Sequence, residues 1–479
     1  MSNPKDGTIV TSIDEKFVED KEFEKKLVRS MDFRIMPLLM LLYFLCFLDR
    51  VNIGNAKLST MEKDLGLVGS EFNWGLSIFF IGYIVFEVPS NIALIKTSAF
   101  LWIAFIMFSW GVTVTLIASV KNFGGLLATR FFVGAFEAGL APGAVYYLAT
   151  WYKRSEQNAR IAYLSIGNSF AGSFSGLLAF ALIKLDGKLN LKGWQWLFLV
   201  EGLMTIVVAI AAYFLIPDYP EKAKWLTDKE RKYATDRLKN DIGKAHIIKY
   251  NRTHIYAAFT DYKVYLAMLQ LFVASISVSS YQLFLPSIVH GMGFNYVISQ
   301  LFSIPPFFCA GVSTIIVAII SDRRRNRGLI MILSSIIGIF GYILLIIPSL
   351  SIPAKYVGAC IVGVGLVPAV TTAVAWIANN IAGHAKRGIA AGLVLMSANV
   401  GGILASQIYR EKDFPNYTFG NSIALACLVI ATCIAFLQYF IYKTLNEKKR
   451  KDPQSFLQGK SDEEIKNLGD LHPDFMYIL

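Results

Sequence analysis

Charge is scarce in this sequence. Asp, Glu, Lys and Arg make up 17% of the 479 residues, and mean hydropathy is +0.50. Soluble domains carry about 25% charged residues, so an ordinary soluble fold is excluded. Catalytic signatures are missing too. The five histidines (His246, His254, His290, His384, His472) lie far apart, without the HExxH spacing of a zinc protease. There is no GxSxG, no P-loop and no complete GxGxxG. Cys46, Cys309, Cys360, Cys427 and Cys433 all fall in apolar stretches, which argues against a disulfide framework and offers no metal spacing. No enzyme, no cofactor and no metal site is expected. A cleavable signal is absent as well. Residues 1–33 are polar and of mixed charge, and no small-residue cleavage site follows the first apolar run.

What is present is a series of apolar runs, each long enough to cross a bilayer. Six lie near 34–55, 73–95, 99–120, 123–149, 158–183 and 195–216. Six more lie near 262–289, 297–320, 328–349, 354–378, 387–409 and 419–443. The expected fold is an all-α polytopic membrane protein, with 12 transmembrane helices in two six-helix halves. The expected divisions are an N-terminal tail (1–33, disordered at first and helical near Phe23–Met31), a first half (34–216), a linker (217–258), a second half (259–443) and a C-terminal tail (444–479). The linker opens PDYPEKAKWLTDKER, where Pro217 and Pro220 stop the sixth run and Thr227 with Glu230 reads as a capping box. The net charge of +12 sits in tails and loops, which argues against a nucleic-acid partner. Of the 46 Lys and Arg, 35 fall on one side of the membrane, nine on the other and two within spans. The positive-inside pattern makes the first side cytoplasmic and puts both termini there. A monomer in the lipid bilayer, most simply the plasma membrane, is expected.

The stretch RFFVGAFEAGLAPGAVYYLATWYKRSEQNAR, residues 130–160, organises the functional reading. Arg130 and Glu137 share one helical face about 10 Å apart. A charge near the bilayer centre costs about 2.5–3.5 kcal/mol, so two on one face imply a partner or a watery cavity. Gly134, Gly139 and Gly143 leave room for close helix packing. The first span adds Asp49 and Arg50. At 1.5 Å per residue, Arg50 lies about 7 Å and Arg130 about 9 Å outward of their span centres, with Glu137 near the midplane. Two guanidiniums at one level make a fork for a carboxylate. A substrate anion arriving there alters the proton balance of Asp49 and Glu137. That is the outline of an anion–proton symporter. The structural alternative is a charge network that locks the first and fourth spans together.

Other polar residues are weaker signals. Glu87 reads as a partner of loop cations and Glu201 as a structural residue. Tyr83, Asn168 and Asn399 fall near the midplane and Gln282 near the arginine level. Of these, Tyr83, Gln282 and Asn399 are carried as substrate-binding candidates. SDRRRNRG, residues 321–328, marks a cytoplasmic loop. Its Asp322, able to pair with an arginine or cap the next helix, and Arg323 are the gating candidates.

Taken together, LDRVNIGNAKL, RFFVGAFEAGLAPGAVYYLATWYKR, GWQWLFLVEG, the PDYPEKAKWLTDKER linker and SDRRRNRG resemble the anion:cation symporter family of the major facilitator superfamily. The tail LGDLHPDFMYIL is similar to its fungal allantoate and nicotinate permease branch. The resemblance implies Asp49 and Glu137 as proton sites, Arg50 and Arg130 near the substrate anion, and alternating access between the halves. The loop ALIKTSAFLW departs from the superfamily pattern, since it lacks the aspartate and arginines usual there. The expected function is proton-coupled uptake of a small organic anion, nicotinate-like first, pantothenate or allantoate next. A nutrient sensor with this fold, and a uniporter or exchanger without proton coupling, are the alternatives.

Overall fold

Helix α1 (Asp6–Lys57) carries the chain from its polar start straight into the first crossing. The computed structural model describes residues 6–216, 219–223, 225–243, 259–324, 326–381, 384–458 and 469–479. The N-terminal segment is thus helical from Asp6 on, not only near Phe23–Met31. Tertiary contacts explain its inner part. Leu27 and Met31 are buried, Glu24 meets Lys153 at 2.5 Å, and Asp32 meets Arg160 at 2.7 Å.

The first half continues with a short α2 (Met61–Asp64), then α3 (Glu71–Lys96), α4 (Ala99–Ile117), α5 (Phe123–Glu137) running into α6 (Leu140–Trp151), α7 (Arg154–Ile183) and α8 (Gly193–Leu215). A surface helix, α9 (Asp228–Gly243), follows. The second half comprises α10 (Tyr262–Gly291), α11 (Tyr296–Phe302) running into α12 (Ile304–Arg324), α13 (Arg327–Ile346), α14 (Ile352–Asn380), α15 (His384–Ala405) and α16 (Thr418–Lys451). These make 12 crossings in two halves of six. Among the described residues there is no strand. The fourth and eighth crossings are interrupted, at Gly139 and at Ser303. Pro142 and the Pro305–Pro306 pair lie just beyond and withdraw backbone donors from the ladder.

Both halves use one packing scheme. In the first, α1 lies on α7, α3 on α5, and α4 on α8. In the second, α10 lies on α15, α12 on α14, and α13 on α16. Numbered as crossings, these are 1–5, 2–4 and 3–6, then 7–11, 8–10 and 9–12. Outward-facing Val207, Phe214, Phe340 and Phe440 are exposed, an arrangement that suits lipid and not water.

The halves meet through α1 with α10, α3 with α15, and α7 with α11 and α12. Hydrogen bonds cross between them on the side away from the termini. Asn73 Nδ2 donates to the Tyr409 carbonyl at 3.0 Å, Ser77 Oγ to the Ile403 carbonyl at 3.1 Å, and Gln300 Nε2 to the Asn55 carbonyl at 2.9 Å. On the terminal side the ion pairs among the described residues each stay within one half. Arg237 of α9 holds Glu156 at 3.1 Å and the Trp151 carbonyl at 3.1 Å. Thr227 and Glu230 bond reciprocally at the start of α9, at 2.9 and 3.3 Å. Residues 244–258 of the expected linker lie outside the described residues.

Candidate functional site

Close helix approach builds the site. A Cβ on Gly134 of α5 would collide with the Phe79 carbonyl, and one on Gly82 of α3 with the Phe131 carbonyl. Only glycine lets these backbones touch, and the contact lays Phe79 and Tyr83 against the charged face of α5. Gly202 of α8 meets Thr115 of α4 in the same way. Glu201, next to Gly202, and Trp110, five residues before Thr115, are fully buried.

Five ionisable groups converge between these helices. Glu137 is fully buried, and its Oε1 accepts from the Arg50 guanidinium and from the Cys46 thiol, the latter at 3.0 Å. The glutamate therefore pairs across to α1 and not along its own helix to Arg130. Arg130 and Glu137 stand about two turns apart on α5, and no ion pair joins them among the described residues. Arg130 is 2% exposed, and its Nε has no partner. It lies in the field of Glu137, Asp49 and Glu201. Both guanidiniums rest on one ring, Arg50 at 5.2 Å and Arg130 at 4.9 Å from the Phe79 centroid, and Arg50 also lies 5.1 Å from Tyr83. The two arginines thus share a level, as their depths in the sequence require. The Arg50 side chain is 27% exposed, so this guanidinium is not sealed inside the cluster.

Asp49 is buried, and neither carboxyl oxygen makes a hydrogen bond of regular geometry. Glu201, Glu137 and Trp110 are its polar neighbours. Glu201, read from the sequence as structural, belongs to this cluster, with Oε1 accepting from Asn52 Nδ2 at 2.5 Å. A signal for it was visible, since Asp49, Asn52 and Asn55 form a polar stripe on α1 that needs buried partners. Among the described residues Glu87 meets no loop cation. It is half-buried, its Oε2 lacks a hydrogen bond, and its charged neighbour is Arg50.

The remaining candidates separate from the cluster. Gln282 of α10 and Asn399 of α15 are half-buried and make no side-chain hydrogen bond among the described contacts. The Asn168 side chain lies outside the described residues. Asp322 accepts from Arg327 at 2.8 Å, a pair local to one loop, while Asn326 caps α13. Arg323 is exposed.

Residues 39–406 match the family model of the Major Facilitator Superfamily. The chain belongs to that superfamily. An uncharacterized transporter of Schizosaccharomyces pombe is 36% identical to this superfamily member, over 96% of this chain and 91% of that one. The high-affinity nicotinic acid transporter of Saccharomyces cerevisiae is 30% identical, over 95% and 85%. Among solved structures, a D-xylose-proton symporter matches with a TM-score of 0.66 at 14% identity, covering 84% of this chain and 97% of that one. An inward-facing, unoccupied bacterial homolog of the human lysosomal transporter Spinster matches with a TM-score of 0.65 at 17% identity, covering 84% and 95%. These structures show the shared fold. This superfamily member is a membrane transporter of a small-molecule solute and not an enzyme.

Proposed function

We propose that this transporter takes up a small organic anion together with protons, with a nicotinate-like carboxylate as the first candidate and pantothenate or allantoate next. The observation that carries this reading is the Arg50–Glu137 pair set beside the unpaired Arg130. An incoming carboxylate finds in Arg130 a desolvated guanidinium with free donors. It competes with Glu137 for Arg50, and a displaced Glu137 takes a proton in exchange for its lost counter-charge. Tyr83 borders the same space, and Gln282 and Asn399 supply polar groups from the second half. The similarity to a nicotinic acid transporter supports the carboxylate.

The resemblance to the anion:cation symporters supports the same roles. Halves bonded on the far side correspond to an inward-facing state, with both termini and the 217–258 linker in the cytoplasm of a plasma-membrane monomer. Asp322 and Arg323 sit at the inner end, where a gate would close. Uptake of labelled carboxylates, with and without a protonophore, tests the reading. Arg130→Ala is expected to lose substrate affinity per surface molecule, with Arg130→Lys intermediate. Glu137→Gln is expected to lose uphill accumulation while retaining exchange. Normal affinity in Arg130→Ala would remove the anion site. Undiminished accumulation in Glu137→Gln would remove the coupling.

A further inference from the structure

The buried acids outnumber the arginines. Asp49, Glu137 and Glu201 face Arg50 and Arg130, which leaves one negative charge in excess in a low-dielectric site. Four polar atoms beside it make no hydrogen bond of regular geometry: both oxygens of Asp49, Oε2 of Glu201 and Nε1 of Trp110. A single proton shared by the two neighbouring carboxyl groups balances the charge and satisfies part of this set.

Hydrogen-bonded side chains lead from Glu201 to Asn55 of α1, whose main-chain carbonyl meets the second half. Glu201 Oε1 accepts from Asn52 Nδ2 at 2.5 Å. Asn52 Oδ1 accepts from the Ser175 hydroxyl and, at 3.0 Å, from Asn55 Nδ2. Asn55 Nδ2 also donates to Ser175 Oγ at 2.6 Å. The Asn55 carbonyl accepts from Gln300 Nε2 at 2.9 Å, and Gln300 belongs to α11. Every side chain in the chain is buried, with 0–1% exposed. The chain ends in the far-side contact between the halves, where Ser173 Oγ also donates to the Ile304 carbonyl.

We propose that Glu201 is a positioning residue whose charge state sets how firmly the Asn52–Ser175–Asn55–Gln300 chain holds the far side closed. An ionised Glu201 makes a charge-assisted bond to Asn52, roughly twice as strong as a neutral one. That bond fixes Asn52 and the Asn55 side chain, and so steadies the turn of α1 whose Asn55 main-chain carbonyl, shared with the Leu58 N–H at 3.2 Å, is presented to Gln300. A proton on Glu201 weakens the first link and loosens the last. The charged groups facing Glu201 are Asp49 from α1 and Arg130 from α5. α7 brings Ser175 to the chain and α4 brings Trp110 beside Asp49, and neither titrates. The inference deepens the reading of this cluster as a proton site, and its test needs neither substrate nor gradient.

Ser77 is fully buried in the far-side contact, so a thiol there reacts only when that side opens. The experiment uses Ser77→Cys in a chain whose native cysteines are replaced, with an impermeant maleimide applied from the far side, scored per folded molecule. Labelling is expected to quicken as pH falls. Glu201→Gln keeps the acceptor for Asn52 but not the charge, and should label about tenfold faster at neutral pH, with a flat pH profile. Gln300→Leu should do the same from the other end, and the double variant should add nothing further. A wild-type pH profile in Glu201→Gln, or simply additive effects, overturns the proposal. If Glu201→Gln does not fold, an unchanged profile in Gln300→Leu overturns it. Loss of proton-dependent uptake with this labelling pattern intact would remove the proposed function and leave the coupling chain standing.

Discussion

The two halves repeat one packing scheme but keep their charges in different places. In the first half the ions lie in the membrane interior, where α1, α5 and α8 bring Asp49, Arg50, Arg130, Glu137 and Glu201 together. In the second half the buried charges among the described residues are Lys263, Lys449 and Asp470, all at the terminal end. Its interior is polar but neutral: Ser277 Oγ donates to the Ala424 carbonyl at 2.7 Å and Tyr342 to the Ser277 carbonyl at 3.2 Å. The end charges clasp the last residues of the chain. Asp470 bonds Lys263 and Lys386, the latter at 2.7 Å. Lys449 Nζ donates to the carbonyls of Asp470, His472 and Phe475 at 2.6, 3.0 and 2.7 Å. Asn446 exchanges two bonds with the Tyr477 backbone, and Asn380 two with Ile478. The contrast separates charges buried in the membrane interior from charges that pin a strap.

The largest expected effect breaks the first cluster. Arg50→Ala leaves Glu137 buried without its cation, a cost of roughly 3–5 kcal/mol. Folded protein at the membrane should collapse, and adding Glu137→Gln should restore the amount without restoring uptake. Normal yield from Arg50→Ala alone would show that this pair does not hold the half together. Next comes the contact that builds the cluster. Gly134→Val forces α3 from α5 at about 1–3 kcal/mol, and both thermal stability and uptake should fall. An unchanged melting temperature would break the argument.

A comparable loss at the other end sharpens the contrast. Lys449→Ala deprives three carbonyls of a charged donor, at roughly 2 kcal/mol. Proteolysis should then remove the strap, while substrate affinity stays at the wild-type value. Altered affinity would mean the two charge sets communicate. The effect of pH should separate them as well. Burial alone raises the Asp470 carboxyl, but the Lys263 and Lys386 ammonium groups outweigh it and hold it below its ordinary value. A carboxyl lowered on folding contributes stability above its unfolded value of about 3.9, and loses it as pH falls through the folded value. The strap should therefore stay protected from hydrogen exchange between about pH 5 and 8. Release within that range would contradict the assignment. The smallest effect belongs to Arg323→Ala, an exposed change expected within about 0.5 kcal/mol in thermal denaturation.

Much of this was legible in the sequence, for reasons that differ by residue. Arg50, Arg130, Asp49 and Glu137 stood out because charge within an apolar run is costly wherever the helix turns. Their common level followed from residue count alone, and both guanidiniums do rest on Phe79. The neighbours of Glu201 were not legible, because position along a span says nothing of azimuth. Its face became evident only once Gly202 docked on Thr115 and turned it toward Asp49 and Asn52. The helical run from Asp6 to Glu22 was also missed, where the sequence is polar and of mixed charge.

The sequence by itself determined that the chain crosses a membrane, in 12 apolar runs divided six and six. Transfer into lipid depends on the composition and length of each run, and both are written locally. It also determined that ions would be buried in the first half. Tertiary structure alone decided the pairing of crossings, the choice of Arg50 rather than Arg130 for Glu137, and the bonding of the halves on the far side. Those outcomes depend on which helix faces meet, and that is settled by close contacts between residues far apart in the chain.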